Sequence, residues 1–292
     1  MDSNMTKEIT ILSGKGGSGK TTVTGALAVL GKNNILVDAD VDAPDLHLLL
    51  QPQIKRREAF FGSKKARIIP EECIRCGLCV TSCRFDAIKM EEPPVVAPIF
   101  CEGCGLCRRI CPAEAIEFAE ARTGEWYVSE TAYGPMVHAH LDPAQGNSGK
   151  LVSLIRAEGR KIAEDKRADL MLTNGPPGIG CPVIASLAGA GLVLIVTEPT
   201  LSGEHDLRRL AELIAMFKIP AWVCVNKWDL NPEMTAKIEE ASRALGMSVA
   251  GRIRFDLTTV QAQLQRRTVM DYPESTAARD IESLWRELSA AS

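Results

Sequence analysis

The first forty residues alternate between apolar runs and a glycine-rich loop. Residues 9–13 form a short apolar run, residues 21–30 are rich in Ala and Leu, and residues 35–37 form a second apolar run. Apolar runs of these lengths, separated by Gly and polar residues, predict a strand, a loop, a helix and a strand.

The same alternation resumes after residue 150. The pattern predicts helices at 151–165, 207–217 and 232–245 and strands at 169–173, 191–196 and 221–225. The strands are continuous apolar runs such as LVLIV and AWVCV, which is typical of parallel sheets covered by helices on both faces. Residues 125–141 predict a hairpin that turns at Tyr133. The sequence therefore predicts an α/β protein with a mostly parallel, doubly wound sheet.

Cysteine is concentrated in one segment of the chain. Eight of the ten cysteines lie between Cys73 and Cys111, where CIRCGLCVTSCRFDAI is repeated as CEGCGLCRRICPAEAI. A Pro-rich linker at 93–98 separates the two copies. We therefore predict a small α+β domain at 62–120, inserted between the two parts, 1–61 and 121–292, of a larger domain.

Charge and hydropathy exclude several classes of protein. The formal net charge of −3 does not favour nucleic-acid binding. Residues 170–197 carry no charge, but Gly and Pro divide them, so we predict no stable membrane insertion. The C-terminal helix has an apolar stripe and an acidic remainder, which favours packing on the domain over binding to lipid. The polar residues 1–7 predict no export, and hence a cytoplasmic protein.

The glycine-rich loop carries a phosphate-binding motif. GKGGSGKT fits G-x-x-x-x-G-K-[ST] and lies between a predicted strand and a predicted helix. Its backbone N–H groups are expected to hold phosphate oxygens, while Lys20 reaches the β and γ phosphates and the Thr21 hydroxyl binds Mg²⁺. The predicted nucleotide contacts in this loop are Gly14, Lys15, Gly16, Gly17, Ser18, Gly19, Lys20, Thr21 and Thr22.

The second lysine makes this loop resemble the deviant phosphate loop of the MinD/Mrp/ParA family of ATPases. The resemblance implies a P-loop NTPase that closes as a homodimer around ATP, with Lys15 reaching the phosphates bound by the other protomer. VDAD at 37–40 resembles the first switch of that family. The resemblance implies that Asp40 orients or activates the attacking water and that Asp38 supports the Mg²⁺ shell, which assigns catalysis to Lys15, Lys20 and Asp40.

The segment TNGPPGIG at 173–180 resembles the second switch of the family, with one departure. The family has Asp where this chain has Asn174, which would reach Mg²⁺ through a water. An amide keeps one acceptor oxygen but loses the charge, so we expect weaker Mg²⁺ binding and slower ATP hydrolysis. Asn174 is either a natural divergence or a substitution introduced to trap ATP.

Two residues resemble the adenine contacts of the family. Asn226 ends a predicted strand, and Asp256 follows in the segment IRFD. NKWD at 226–229 also matches the NKxD motif of GTPases, so guanine is the alternative base. The subclass of phosphate loop favours ATP.

The cysteine runs resemble the two-cluster ferredoxins of bacteria. Both runs have the spacing C-x2-C-x2-C-x3-C, whereas paired zinc sites, the alternative, use C-x2-C units that lie further apart. The resemblance implies two [4Fe–4S] clusters, one held by Cys73, Cys76, Cys79 and Cys111 and the other by Cys83, Cys101, Cys104 and Cys107. We expect Cys181 and Cys224 to be buried structural thiols; the alternative for Cys181, which follows the second switch, is a surface ligand at the dimer interface. His138 and His140 are expected to be packing or surface residues.

Together these resemblances predict an ATPase whose dimerisation is coupled to the clusters. It would gate electron transfer to a redox client, or the assembly of a metal centre on a client protein. The alternative is a carrier or scaffold for iron–sulfur clusters. Spatial positioning of the MinD/ParA type ranks last because the chain shows no basic tail or patch for a membrane or nucleoid.

Overall fold

The computed structural model describes residues 6–290, so most of the predicted polar start, residues 1–5, lies outside the described residues. The chain forms two compact units. The first comprises the described residues up to Glu58, Trp126–His140 and the chain from Ser148 onward; the second comprises Ala59–Glu125 and Leu141–Asn147.

Strands and helices alternate along the first unit as predicted. The strands of the whole chain are Lys7–Ser13 (β1), Asn34–Asp38 (β2), Gln53–Ile68 (β3), Ile88–Lys89 (β4), Val95–Val96 (β5), Ile116–Thr131 (β6), Gly134–Leu141 (β7), Leu170–Pro177 (β8), Leu192–Thr197 (β9), Ala221–Asn226 (β10) and Ser248–Ile253 (β11). The helices are Lys20–Leu30 (α1), Leu46–Leu50 (α2), Leu78–Thr81 (α3), Leu106–Ile110 (α4), Ser148–Lys166 (α5), Cys181–Leu187 (α6), Leu201–Phe217 (α7), Pro232–Ala244 (α8), Thr258–Leu264 (α9) and Thr276–Ala290 (α10).

The main sheet has the order β11-β10-β9-β1-β8-β2-β7-β6-β3. The neighbouring strands from β11 to β7 all pair in parallel. The prediction of a mostly parallel α/β sheet is therefore confirmed. The carboxyl ends of β1, β2, β8 and β9 meet at one edge of the sheet, which is where open α/β sheets bind ligands.

Successive residues of the central strands enter opposite sides of the core. In β9, Leu194 packs in the cluster that includes α1 and α10, whereas Val193 packs in the cluster that includes α7 and α8. Both sides of the strands are thus removed from water, which explains why their sequences are continuously apolar.

The helix starts and ends follow local signals where these are present. Asn231 accepts a hydrogen bond from the backbone N–H of Met234 and caps α8, which begins at Pro232. In α10, Ile281, Leu284 and Leu288 are buried, which confirms that this helix packs on the domain. Among residues 6–290, the structure has no helix with the length and apolar character needed to cross a bilayer.

Two long strands do not follow from the sequence pattern. The predicted hairpin is present, but its first strand, β6, already begins at Ile116, and β3 begins at Gln53. Residues 53–59 are all exposed, because β3 is the outermost strand of the sheet. An edge strand with charged side chains shows no apolar alternation, so the sequence gives no signal for it.

The second unit has a small core in which cysteines pack beside a few apolar side chains. Its apolar members are Ala66, Ile68, Ala87, Ile88 and Ile116, and the clustered thiols pack among them. The sequence repeat is also a repeat of backbone conformation, 28 residues apart. Positive φ angles recur at Arg75 and Gly103 (57° and 66°), Gly77 and Gly105 (74° and 80°), and Asp86 and Glu114 (51° and 52°).

Candidate functional site

The phosphate loop, Gly14–Thr21, joins β1 to α1 and borders an open groove of the first unit. Gly17 and Gly19 have φ angles of 84° and 92°. A Cβ at Gly19 would lie 2.2 Å from the Nδ2 atom of Asn226, and one at Gly14 would lie 2.1 Å from Cβ of Asp206. The loop therefore requires glycine for both its backbone angles and its close neighbours.

Lys20 lies at the start of α1 and is only 5% exposed. Its Nζ donates to Asn174 Oδ1 at 3.0 Å and to Asp40 Oδ2 at 3.3 Å. The predicted lysine, the first-switch carboxylate and the second-switch amide thus lie together at the carboxyl ends of β1, β2 and β8. Burial raises the pKa of Asp40, although the adjacent Lys20 opposes this shift.

Asp38 is fully buried behind this contact. Asn174 Nδ2 donates to Asp38 Oδ1 at 2.8 Å, and the backbone N–H groups of Asp40 and Leu46 also donate to this carboxyl group. Burial raises the pKa of Asp38 to about 6, while the Asn174 hydrogen bond and the charge of Lys20 pull it down. Asn174 also accepts from Thr24 Oγ1 at 3.2 Å, so its amide connects α1 to both switches.

Most residues of the phosphate loop line the groove. The groove is lined by Gly16, Gly17, Ser18, Gly19, Lys20, Thr21, Thr22 and Asp40, among others. The Thr22 hydroxyl accepts from Gln263 Nε2 at 2.8 Å. The hydroxyl of Thr21 and the carboxylate of Asp40 are the oxygen donors that Mg²⁺ prefers, so the residues present fit that ion.

Lys15 faces away from the groove in this chain. Its Nζ lies 2.6 Å from Glu198 Oε1 and donates to Ser202 Oγ at 2.9 Å. Glu198 and Ser202, together with Lys227, are contacts that the sequence analysis missed. Glu198 directly follows β9 in the sequence VTEPT, and its position after a predicted strand was the available signal.

The predicted base contacts both border the groove, and both are engaged within the chain. Asn226 Nδ2 donates to the Ser18 carbonyl at 2.9 Å. Asp256 accepts from the N–H groups of Thr276 and Ala277 and thereby caps α10. These bonds and those from Ser275 and Thr258 outweigh the effect of burial and hold the pKa of Asp256 well below its usual range.

The residues of the NKxD motif, the alternative base contact, make hydrogen bonds within the protein. Asp229 lies in a short 3-10 turn, Trp228–Leu230, and its Oδ1 accepts from the Phe255 N–H at 2.7 Å. Lys227 Nζ donates to the Gly17 carbonyl at 3.3 Å. The motif therefore ties the phosphate loop to the loop after β11 through contacts within the protein.

The eight clustered cysteines line two small cavities of the second unit. One cavity is bordered by Cys73, Cys76, Cys79 and Cys111, and the other by Cys83, Cys101, Cys104 and Cys107. All eight are free thiols, and burial raises the pKa of Cys79 and Cys107. No group of three or more His, Cys, Asp or Glu among residues 6–290 is arranged to hold a single metal ion.

The other cysteines and the histidines were predicted with mixed success. Cys224 is buried as expected, and burial raises the pKa of its thiol well above the usual range. The expectation for Cys181 is wrong, because it starts the short helix α6 and is exposed. His138 is buried, with its Nε2 2.9 Å from Ser129 Oγ, and His140 Nδ1 lies 3.2 Å from the Tyr127 hydroxyl.

Comparison with known proteins identifies the first unit. The family model of the CobQ/CobB/MinD/ParA nucleotide-binding domain matches residues 9–269. The uncharacterized protein MJ0578 of Methanocaldococcus jannaschii is 37% identical over 229 residues, which are 77% of this chain and 79% of that protein. The septum site-determining protein MinD of Pyrococcus horikoshii, complexed with Mg-ADP, has a TM-score of 0.61 at 18% identity. That similarity covers 98% of this chain and 97% of MinD.

Other solved structures of similar fold are the MinC:MinD cell division complex of Aquifex aeolicus and apo McdA of Cyanothece. The first has a TM-score of 0.58 at 20% identity and covers 98% of this chain and 97% of that one. The second has a TM-score of 0.59 at 15% identity, with 97% and 99% covered.

These comparisons correct the function predicted from the sequence. Gating of electron transfer or of metal-centre assembly, and the alternative of a cluster carrier, are wrong, because the similar structures are MinD and McdA proteins. The similar structures, at 15–20% identity, share the fold of this chain. The predicted function rested on one cysteine-rich segment, whereas the nucleotide-binding family matches residues 9–269.

Proposed function

The chain belongs to the CobQ/CobB/MinD/ParA family of nucleotide-binding domains, and on this premise we propose that it is an ATP-hydrolysing switch that positions a partner inside the cell. The family is one of ATPases. The observation that carries the proposal is the arrangement at one edge of the sheet, where the phosphate loop, Lys20, Asp40 and Asn174 meet beside an open groove.

The proposed cycle assigns a task to each residue of this site. Lys20 and the N–H groups of the phosphate loop hold the phosphates, and Asp40 orients the attacking water. Thr21 and Asp40 would hold Mg²⁺, with Asp38 and Asn174 behind them, and the ion would neutralise phosphate charge. Asn226 and Asp256 border the site for the base. Asn174 supplies no charge, so the proposed hydrolysis is slow.

The switch itself is a homodimer that ATP closes and hydrolysis reopens. In the proposal, Lys15 of each protomer contacts the phosphates bound by the other, which makes dimerisation depend on ATP. A partner protein then distinguishes the two states, as the solved MinC:MinD complex illustrates for a protein of similar fold. The proposed location is the cytoplasm.

The test combines oligomeric state with localisation. Sedimentation with ATP and Mg²⁺ should show a dimer for the natural chain and a monomer for Lys15→Ala, with both monomeric in ADP. A fluorescent fusion of the natural chain should form a cellular pattern that Lys15→Ala abolishes. A chain that is monomeric in ATP, or a uniform distribution that does not change with Lys15, would contradict the proposal.

We also propose, as a separate point, that the eight clustered cysteines of residues 62–120 hold two [4Fe–4S] clusters. Three observations support this: the cysteine spacing, the two cavities that four thiols each surround, and the repeated positive φ angles. Bound clusters would cross-link the two halves of the repeat, which share a core of few apolar residues.

Anaerobic preparation with iron, sulfide and zinc analysis tests the clusters directly. We expect about eight irons and eight sulfides per chain, the content of two four-iron clusters. Cys76→Ser should lower both values, whereas Cys181→Ser, which changes an exposed cysteine of the first unit, should not. Two zinc ions and no sulfide would show zinc sites instead.

A further inference from the structure

The side chain of Lys15 is held by the segment that joins β9 to α7. Its Nζ lies 2.6 Å from Glu198 Oε1 and donates to Ser202 Oγ at 2.9 Å. Its carbonyl oxygen accepts from Ser13 Oγ at 3.0 Å. The direction of this lysine is therefore set by residues of its own chain.

Glu198 connects two lysines of the nucleotide site. Its second oxygen lies 3.4 Å from Lys227 Nζ, which also donates to the Gly17 carbonyl at 3.3 Å. The Glu198 side chain is 16% exposed. Partial burial raises its pKa, but the hydrogen bonds and charges of Lys15 and Lys227 outweigh that effect, so the net shift is downward. Glu198 is thus a carboxylate at neutral pH.

The backbone around Glu198 is fixed by the start of α7. The Thr200 hydroxyl accepts from the Gly203 N–H at 3.0 Å and caps the helix. A Cβ at Gly203 would lie 2.3 Å from the carbonyl oxygen of Glu198, so the two segments are in close contact. The carboxylate is therefore presented to Lys15 from a constrained position.

We infer that Glu198 is a positioning residue that holds Lys15 within its own chain and competes with the partner's nucleotide for the lysine ammonium. The inference rests on the proposed function, in which Lys15 acts across the dimer. A lysine ammonium is a single positive charge, so its attraction to Glu198 must be given up in part when it approaches phosphate oxygens. Each dimer requires two such exchanges, one from each protomer. Glu198 thereby sets how much ATP and protein are needed for dimerisation.

The first test is the dimer dissociation constant with ATP and Mg²⁺, measured by sedimentation equilibrium. Glu198→Gln keeps the shape of the side chain and removes its charge, and we expect the constant to fall on the order of tenfold, because two partly exposed pairs are released. Glu198→Asp retains the charge, so its dimer dissociation constant should stay closer to that of the natural chain.

Glu204→Gln is the matched control. Glu204 lies in the first turn of α7, and it pairs with Arg208 at 2.7 Å and not with a lysine of the site. The variant removes the same charge and should leave the constant unchanged. The Glu198→Gln shift should also persist in a Lys227→Met background, which shows that it acts through Lys15.

The second test does not depend on dimerisation. Mass spectrometry after brief amine acylation in ADP should find Lys15 several times more reactive in Glu198→Gln than in the natural chain, and unchanged in Glu204→Gln. Two results would overturn the inference. One is equal acylation of Lys15 in Glu198→Gln and the natural chain, and the other is a dimer dissociation constant that stays the same or rises in Glu198→Gln. A natural chain that stays monomeric in ATP would instead contradict the proposed function, and the acylation result would still decide whether Glu198 holds Lys15.

Discussion

In the nucleotide-binding unit, helices cover both faces of a parallel sheet, and the core consists mainly of aliphatic side chains in two large clusters. In the cysteine-rich unit, the main cluster has seven buried side chains, two of which are the thiols of Cys79 and Cys101. Burial of apolar area alone gives little stability to a segment of this size. The comparison indicates that packing stabilises the first unit, whereas the second unit would gain most from the clusters proposed for its thiols.

The largest expected effect is on catalysis and is confined to the first unit. Lys20→Met should lower ATP hydrolysis on the order of a thousandfold, because it removes the positive charge that lies between Asp40 and Asn174. The metal content of the second unit should not change. A steady-state phosphate-release assay measures the first expectation and metal analysis the second; loss of metal together with activity would show that the units are not independent.

The next effect is on stability and contrasts a buried ion pair with an exposed one. Arg156 is 2% exposed, pairs with Glu8 and donates to the carbonyl oxygens of Ala185 and Ala188. Arg156→Met should lower the free energy of unfolding by about 3 kcal/mol, because Glu8 then remains buried with only Arg160 beside it.

The control for this variant lies in the second unit. Arg67 pairs with Glu117 at 3.6 Å, and its side chain is 73% exposed. Arg67→Met should therefore change the free energy of unfolding by less than about 1 kcal/mol. Denaturation of both variants with urea measures the difference, and equal losses would refute the assignment of Arg156 as a buried structural pair.

A smaller effect is expected from removing metal. Treatment with an iron chelator should increase proteolysis within Ala59–Glu125 by about tenfold, because the small core of this unit then lacks its cross-links. ATP binding by the first unit should be retained. Limited proteolysis with mass spectrometry locates the cuts, and cuts distributed equally over both units would argue against the comparison.

The smallest effect concerns Asn174. Asn174→Asp should raise ATP turnover about threefold and lower the Mg²⁺ concentration needed, because it restores a negative charge near the ion. The new carboxylate would face Asp38 Oδ1, to which the amide now donates at 2.8 Å. Facing carboxyl groups retain a proton at low pH, and burial already raises the pKa of Asp38 to about 6. The increase in ATP turnover caused by Asn174→Asp should therefore become larger as the pH rises from about 6 to 8.

Initial rates across this pH range, with Mg²⁺ titrated at each point, test the expectation. Asn33→Asp is the control, since it adds the same charge at an exposed residue that is hydrogen-bonded to the Arg167 carbonyl. A turnover in Asn174→Asp that is equal to that of the natural chain at every pH would remove Asn174 as the cause of slow hydrolysis.

Much of the first unit could be predicted because its signals are local. The phosphate loop is contiguous, and α8 has its capping residue beside it. The family resemblance assigned Lys20 to the phosphates and Asn174 to a water on Mg²⁺, but it did not predict the hydrogen bond between these two residues. By contrast, β3 could not be predicted, because it is an edge strand whose charged side chains show no apolar alternation. The exposure of Cys181 could not be predicted either, because it depends on which side of α6 faces water.

The sequence by itself determined the parallel α/β fold, the phosphate loop and the spacing of the eight cysteines, because each depends on residues that are close along the chain. Only the tertiary structure decided that Lys15 pairs with Glu198 and that the carboxylate of Asp256 caps α10. Both contacts join residues that are distant in sequence but lie at the same edge of the sheet. The order of the strands, which no local pattern encodes, brings them together.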